Sequence, residues 1–364
     1  MVNLRNCKLT ELRELISTRK VLAYGTGSYL EGFTKRNPEI QLEKYIWSFV
    51  DRVCEDDNRV LNETSIPVKL LSDYYGEINQ FTIIITSSVY CVEILERLDN
   101  LPELNGVEVY ILTFVENTMD ENPRSDLIDL KRENVEYIPP TIHYCWFGDK
   151  AMPYEQEKNI EKWREKCPNY EIRCWNETNY DVMRNPYVKK MWENRKWAFV
   201  TDFVRLDVLY NYGGIYLDTD VTLVQNLDGL RRFRGFIGRE MPRSVASGLG
   251  VGSEKGNKII NQIRMIYINN DYSGGEIGVV PCPEIETSVF KEWGLADRNE
   301  TQILGDNFLV LSTGYLGAMN RGTFYVNKKP YTVAIHDYAG SWTSHTTIKR
   351  KQVAESLCRR IGMI

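Results

Sequence analysis

Apolar residues Phe199, Val200, Phe203, Val204, Leu206, Leu209 and Tyr212 recur at helical spacing and predict a helix over 198–212. Gly213 and Gly214 end it, Ile215, Tyr216 and Leu217 read as a short buried strand, and Asp218, Thr219 and Asp220 follow where such a strand emerges. On an extended chain, carboxylates at i and i+2 point to opposite faces. At a strand end the backbone can turn and let both reach one ion.

Upstream, a helix over 8–18 precedes apolar strands at 20–24, 45–50, 66–70, 81–86 and 107–114, with helical stretches between. This alternation predicts a doubly wound parallel sheet over 1–115. Gly25 and Gly27 follow its first strand and Asp51 closes the second, a candidate nucleotide turn. The fit is partial, because Leu30 stands where a third glycine belongs and Gly32 comes two positions late. A lone G-x-G also suits a sheet that keeps a tight turn for folding alone. The segment resembles the small Rossmann-like domains attached to some enzymes of bacterial surface-sugar pathways.

Residues 116–136 are polar and poor in aromatics and read as a linker with room for one helical turn or two. A second α/β domain, 137–364, then opens with a strand over 141–147, a helix over 154–166, a strand over 170–175 and a helix over 186–194. Beyond the central stretch come strands at 236–239, 248–252, 306–312 and 331–336, a helix over 257–269 and a glycine-rich loop over 274–283. The basic tail, 349–360, reads as a solvated amphipathic helix, with peripheral contact to a membrane as the other use of such a face.

Composition narrows the function classes. A length of 364 residues suggests two domains, and 45 basic against 50 acidic residues give a net charge of −5 without a long basic run. Nucleic acid as the main partner is excluded on that balance. Eight cysteines are scattered with no C-x-x-C pair, the N-terminus lacks the apolar core of a signal peptide, and nowhere do 18 apolar residues run together. The expectation is a soluble cytoplasmic protein with reduced thiols, at most touching the inner face of a membrane.

Asp218 and Asp220 offer oxygen ligands that suit Mg2+ or Mn2+, and His336 as a third ligand would tilt the choice toward Mn2+. A divalent ion held there can neutralise charge on a departing diphosphate. Asp202 and Arg205 lie three residues apart on one face of the helix. As a solvated ion pair they contribute little, but inside so apolar a helix both need partners: the arginine suits a sugar-phosphate oxygen and the aspartate suits sugar hydroxyls. Trp146 can stack on a nucleobase or fill a core.

Four ordered motifs, IPPTIHYCWFGD, WNETNYDV, WAFVTDFVRLDVLYNYGGIYLDTDVTL and AIHDYAGSW, together span about 138–345. They resemble the family 32 glycosyltransferases with the DXD sugar-binding region, related to the glucosyltransferase domains of large clostridial toxins. The resemblance implies a GT-A fold, a nucleotide-sugar donor with UDP favoured, Mn2+ or Mg2+, and transfer with retention. It implies that Trp146 stacks on the base, that Asp202 and Arg205 hold the sugar, and that Tyr216 lines the donor pocket. Asp218 would contact ribose, sugar and metal-bound water, Asp220 would bind the metal directly, His336 and Ser341 would lie near it, and Trp342 near the leaving diphosphate. Asp202, Arg205 and Asp218 would carry catalysis. Asp337 stands where many relatives have a second histidine. The expected acceptor is a saccharide or lipid-linked saccharide of bacterial surface polysaccharide synthesis. The rival readings are a non-catalytic sugar-nucleotide sensor and an NAD-dependent sugar oxidoreductase built on the N-terminal domain.

Overall fold

The structure, a computed structural model, describes residues 1–25, 28–51, 65–87, 90–116, 118, 120–129, 135–269, 280–318, 326–339 and 356–361. The chain divides into two compact units. One comprises residues 1–120 with 322–325 and 345–364, and the other 121–321 with 326–344.

In the first unit six strands pair wholly in parallel: β1 (Asn3–Arg5), β2 (Lys20–Tyr24), β3 (Ile46–Asp51), β4 (Val68–Leu70), β5 (Phe81–Ile85) and β6 (Glu108–Ile111). Their order is β1-β6-β5-β2-β3-β4. The chain moves outward from β2 to β4 and then resumes on the other side of β2, the doubly wound pattern that the alternating runs predict. Both sheet faces are covered, so neighbouring residues of one strand enter opposite cores. Val21 and Ala23 pack with helices α1 (Leu9–Ser17) and α2 (Ser28–Arg36), while Leu22 and Tyr24 pack with α3 (Cys91–Asp99).

The second unit holds a mixed sheet of β7 (Thr141–Cys145), β8 (Glu171–Trp175), β9 (Gly214–Tyr216), β11 (Gly235–Met241), β13 (Val251–Ser253), β14 (Gln302–Leu304) and β15 (Phe308–Leu311), with β12 (Ser244–Val245) paired to β11. The strand order is β14-β15-β11-β13-β9-β7-β8. A separate antiparallel pair joins β10 (Val221–Leu223) to β16 (Ala334–His336). On one face of the sheet lie α7 (Pro186–Glu193), α8 (Trp197–Tyr212), α9 (Lys258–Asn269) and α10 (Cys282–Glu292). On the other lie α6 (Tyr154–Lys166) and α11 (Thr313–Leu316). The α/β character of both halves is as the sequence predicts.

Helix α8 is the centre of this unit: Val200 and every residue from Asp202 to Leu209 are buried, so it has no solvent face along its middle. Both glycines after it are demanded by geometry. Gly213 has φ +69° and Gly214 φ +108°, and a Cβ on Gly214 would sit 2.7 Å from His143 Nε2.

Several elements differ from expectation. The strand expected over 107–114 stops at Ile111 and turns into α4 (Leu112–Glu116). The buried Glu116 carboxylate accepts hydrogen bonds from Tyr29, Arg36 and Asn37, and this anchor draws the chain out of the sheet. The linker has the helical turn its sequence leaves room for, α5 (Asp126–Asp129), but it is tied into the second unit, where Glu121 accepts from Ser312 Oγ and the Gly314 N–H, each at 2.7 Å. The expected glycine-rich loop lies outside the described residues as far as 279, and Cys282 and Pro283 already open α10, proline being well suited to a first helical turn. The described end of the tail, 356–361, packs with the first unit. Leu357 and Cys358 are buried there and Arg360 makes a two-pronged pair with Asp99. Seven cysteines are described, and all are free thiols.

Candidate active site

The turn carrying Asp218 and Asp220 leaves the sheet at the carboxyl end of β9. Leu217 still donates its N–H to the His143 carbonyl at 3.1 Å, and Val221 N–H closes on the Asp218 carbonyl at 3.0 Å. Helix α6 fastens this turn from outside. Asn159 donates to the Thr219 carbonyl at 3.1 Å and accepts from Thr222 at 2.6 Å, Gln156 accepts from Thr219 at 3.1 Å, and Trp163 donates to the Val221 carbonyl at 2.8 Å. These anchors are absent from the sequence expectations. The signal available was weak, two amides and a tryptophan on one face of a polar helix.

Because β16 pairs with β10 in the register His336↔Val221, the histidine lies against the turn across 116 residues of chain. Its Nε2 is 3.2 Å from Asp220 Oδ1 and 3.9 Å from Asp218 Oδ2. One ligand atom from each of the three residues falls within a 4.8 Å span. Burial opposes charge on both partners, yet each supports the other. The imidazole and the Ala339 N–H, which donates to Asp220 Oδ2 at 2.9 Å, bring the Asp220 carboxyl down to about 2, and Asp220 holds His336 above its ordinary value.

Above the turn, α8 presents Asp202 and Arg205. Their expected i,i+3 pairing is present, but it is buried rather than solvated. Arg205 Nη2 lies 3.1 Å from Asp202 Oδ1 and 3.3 Å from Asp218 Oδ1, and the guanidinium rests 5.0 Å from the centre of the Tyr216 ring. Tyr216 Oη donates to Asp218 at 2.9 Å. Burial pushes the Asp202 carboxyl up to about 6, with Arg205 pulling the other way. The second acid of the helix, Asp207, faces elsewhere, bound by Tyr180 and by Arg264 at 2.6 Å.

The donor set fits a divalent cation. Among the described residues, the ion pairs of Asp202, Asp218 and Asp220, with Glu286 nearby, are made with Arg205 and His336, an excess of negative charge in a half-buried site. His336 Nδ1 and Arg205 Nε are buried without a hydrogen-bond partner among the described residues. Two carboxylates and an imidazole are ligands for Mn2+ or Mg2+.

Trp146 follows β7. The register His143↔Tyr216 puts it at the same sheet edge as Asp218, with its indole N–H spent on the Lys150 carbonyl at 2.7 Å and its ring half-exposed. Ser341 and Trp342 lie outside the described residues. In the first unit, Gly25 has φ +107° and accepts from Thr86 Oγ1 at 2.5 Å, its N–H reaches the Val50 carbonyl beside Asp51, and Gly27 lies outside the described residues. No helix among the described residues is long and apolar enough to cross a membrane.

Comparison with known proteins points to the same stretch. Residues 153–236 match the family described as glycosyltransferase sugar-binding region containing DXD motif. Inositol phosphoceramide mannosyltransferase 3 of Schizosaccharomyces pombe is 27% identical over 137 residues, which are 35% of this chain and 36% of that protein. Human lactosylceramide 4-alpha-galactosyltransferase is 28% identical over 106 residues, 29% of this chain and 28% of its own. The chain thus spans about a third of the length of the curated relatives it matches. Among solved structures, the PaToxG glycosyltransferase overlaps 43% of this chain and 70% of its own at 20% identity and a TM-score of 0.36. The matched stretch holds Asp202, Arg205, Tyr216, Asp218 and Asp220, and the match is to the sugar-binding region that the resemblance to the family 32 enzymes implies.

Proposed function

We propose that the chain is a metal-dependent, retaining glycosyltransferase of GT-A architecture. It moves a sugar from a nucleotide-sugar donor, UDP-sugars foremost, to a saccharide or lipid-linked saccharide acceptor. The observation that supports this most is the meeting of Asp202 and Arg205 from α8 with Asp218, Asp220 and His336 around one half-buried space. Surface polysaccharide synthesis in bacteria is the setting read from the motifs, and the relatives named for ceramide acceptors widen the acceptor class to glycolipids.

Asp218, Asp220 and His336 would hold the cation, which would supply charge neutralisation for a diphosphate leaving group. Asp202 accepts hydrogen bonds from donor-sugar hydroxyls, and Arg205, already braced by two carboxylates, presents its remaining N–H groups to a phosphate or ring oxygen. Trp146 offers a ring face to the base. With its carboxylate engaged by Arg205, Asp202 is poorly placed to attack the anomeric carbon, and this favours same-face displacement. The acceptor oxygen bonds to the anomeric carbon as the bond to the diphosphate breaks, and the acceptor proton passes to the diphosphate oxygen.

Thermal-shift screening of UDP-, GDP- and CMP-sugars and of NAD, each with and without Mn2+, tests the reading. A donor that stabilises the protein only when Mn2+ is present supports it. Stabilisation by NAD alone, or by no sugar nucleotide under either condition, contradicts it.

A further inference from the structure

Glu286 is a carboxylate with 0% exposure, on the second turn of α10, in a stretch with no recognisable motif. Its Oε2 accepts the Ser247 N–H at 2.8 Å, and its Oε1 accepts the Ser247 hydroxyl. That hydroxyl has one proton, so donating it to Glu286 turns a lone pair the other way, toward Arg205. Arg205 Nη1 donates to it at 3.0 Å. The chain Glu286–Ser247–Arg205 therefore has one direction throughout and ends on the guanidinium whose other arm joins Asp202 and Asp218.

The turn Ser247–Leu249 is held between a second contact of α10 and the site itself. The neighbour of Glu286, Thr287, accepts the Val245 N–H at 3.1 Å, and Gly248 comes so close to the site that a Cβ there would meet Asp218 Oδ2 at 2.6 Å and Arg205 Nη1 at 3.4 Å. A fully buried carboxylate is costly, and an apolar residue of similar size would pack α10 against this turn at lower cost. Burial pushes the Glu286 carboxyl up to about 7, with Arg205 restraining the rise.

We propose that Glu286 is a positioning residue: through Ser247 it sets the rotation of Arg205 toward the transferring sugar and its phosphate. The inference rests on the donor-pocket reading above. Loss of orientation weakens a contact that matters most when the bond to the diphosphate is breaking, so kcat falls while the affinity for metal is unchanged.

The test is steady-state nucleotide release from the stabilising donor by full-length wild type, Glu286→Gln, Ser247→Ala and the double variant, each checked by thermal melt and by Mn2+ titration. Glutamine must put a donor where the carboxylate accepts, and alanine removes the relay atom. We expect kcat to fall about 10- to 100-fold in either single variant, with donor KM within about threefold and Mn2+ affinity retained. The double variant should be no slower than the slower single one, because both break one relay. Should Glu286→Gln melt below the assay temperature, Ser247→Ala decides alone. Wild-type kcat in a folded Ser247→Ala, or multiplicative losses in the double variant, overturns the inference while leaving the donor pocket intact. A wild type with no metal-dependent nucleotide release instead overturns the donor-pocket reading on which it rests.

Discussion

Arg205 Nη2 stands 3.3 Å from Asp218 Oδ1 and so joins the middle of a buried helix to the turn that carries the paired aspartates. The same nitrogen reaches Asp202, and the guanidinium lies over Tyr216. Removing it leaves Asp202 and Asp218 without their cation in a space where Asp202 is buried. Arg205→Ala should therefore lose both function and stability: about 3–5 kcal/mol in chemical denaturation, by analogy with other broken buried pairs, and donor turnover below detection. Arg205→Lys should recover much of the stability and little of the turnover, since one ammonium cannot span Asp202, Asp218 and Ser247 in the fixed fork of a guanidinium. Turnover near wild type in Arg205→Lys would remove the arginine from the donor site.

Asn159 holds the aspartate turn from α6 by bonds to Thr219 and Thr222. Asn159→Ala is expected to cost about 1–3 kcal/mol, because it leaves buried polar groups unsatisfied. Isothermal titration with Mn2+ should show weaker binding, by roughly tenfold, in line with losses seen when groups that orient metal ligands are removed. Unchanged Mn2+ affinity would mean that the turn keeps its shape without α6.

Gly248 gives a steric test that removes no functional group. A Cβ there would meet Asp218 Oδ2 at 2.6 Å, so Gly248→Ala must displace the carboxylate or the turn. Donor turnover should drop at least about tenfold, while the melting temperature stays within about 4 °C of wild type. A fully active Gly248→Ala would show that Asp218 need not occupy the observed position.

His143 supplies the pH dependence that is easiest to isolate. Gly213 O, 2.8 Å from Nε2, can only accept, and Trp175 Nε1–H, 3.1 Å from Nδ1, can only donate, so the ring is neutral with its proton on Nε2. Burial brings it down to about 4 from the ordinary 6.5. A base depressed in the folded state contributes stability that is present above 6.5 and lost as the pH falls through about 4. The shift corresponds to about 3 kcal/mol. Thermal melts from pH 7.5 to 4 should fall less steeply for His143→Gln than for wild type below pH 6.5. Parallel curves would contradict the neutral, hydrogen-bonded ring.

Much of this was legible in the sequence wherever apolar runs were long enough to imply their own burial. The run Phe199 to Leu209 betrayed α8, Gly213-Gly214 its end, and the repeated apolar strands the parallel sheet of the first unit. The three-residue strands β10 and β14 carry too few residues for a period to emerge, and β6 ends early because Glu116 finds three distant donors. Of the site, the aspartates and the Asp202/Arg205 pair were visible because they interrupt apolar stretches. His336 is a candidate third ligand in the sequence by its chemistry, but no spacing shows its approach to Asp220, whose cause is a strand pairing between distant segments. Glu286 was invisible: in PEIETSVF it is one acid among several polar residues, and its burial exists only once α10 lies against the Ser247 turn.

The most direct test is nucleotide release from a panel of UDP-, GDP- and CMP-sugars with and without Mn2+, comparing wild type with Asp220→Ala. That change removes the carboxylate that faces His336 and leaves Arg205, Asp202 and Asp218 in place. The account predicts release by wild type that depends on Mn2+ and is abolished by EDTA, with at least about a hundredfold loss in a folded Asp220→Ala that excess Mn2+ does not restore. Release that is independent of metal, or equal in the two proteins, would contradict it.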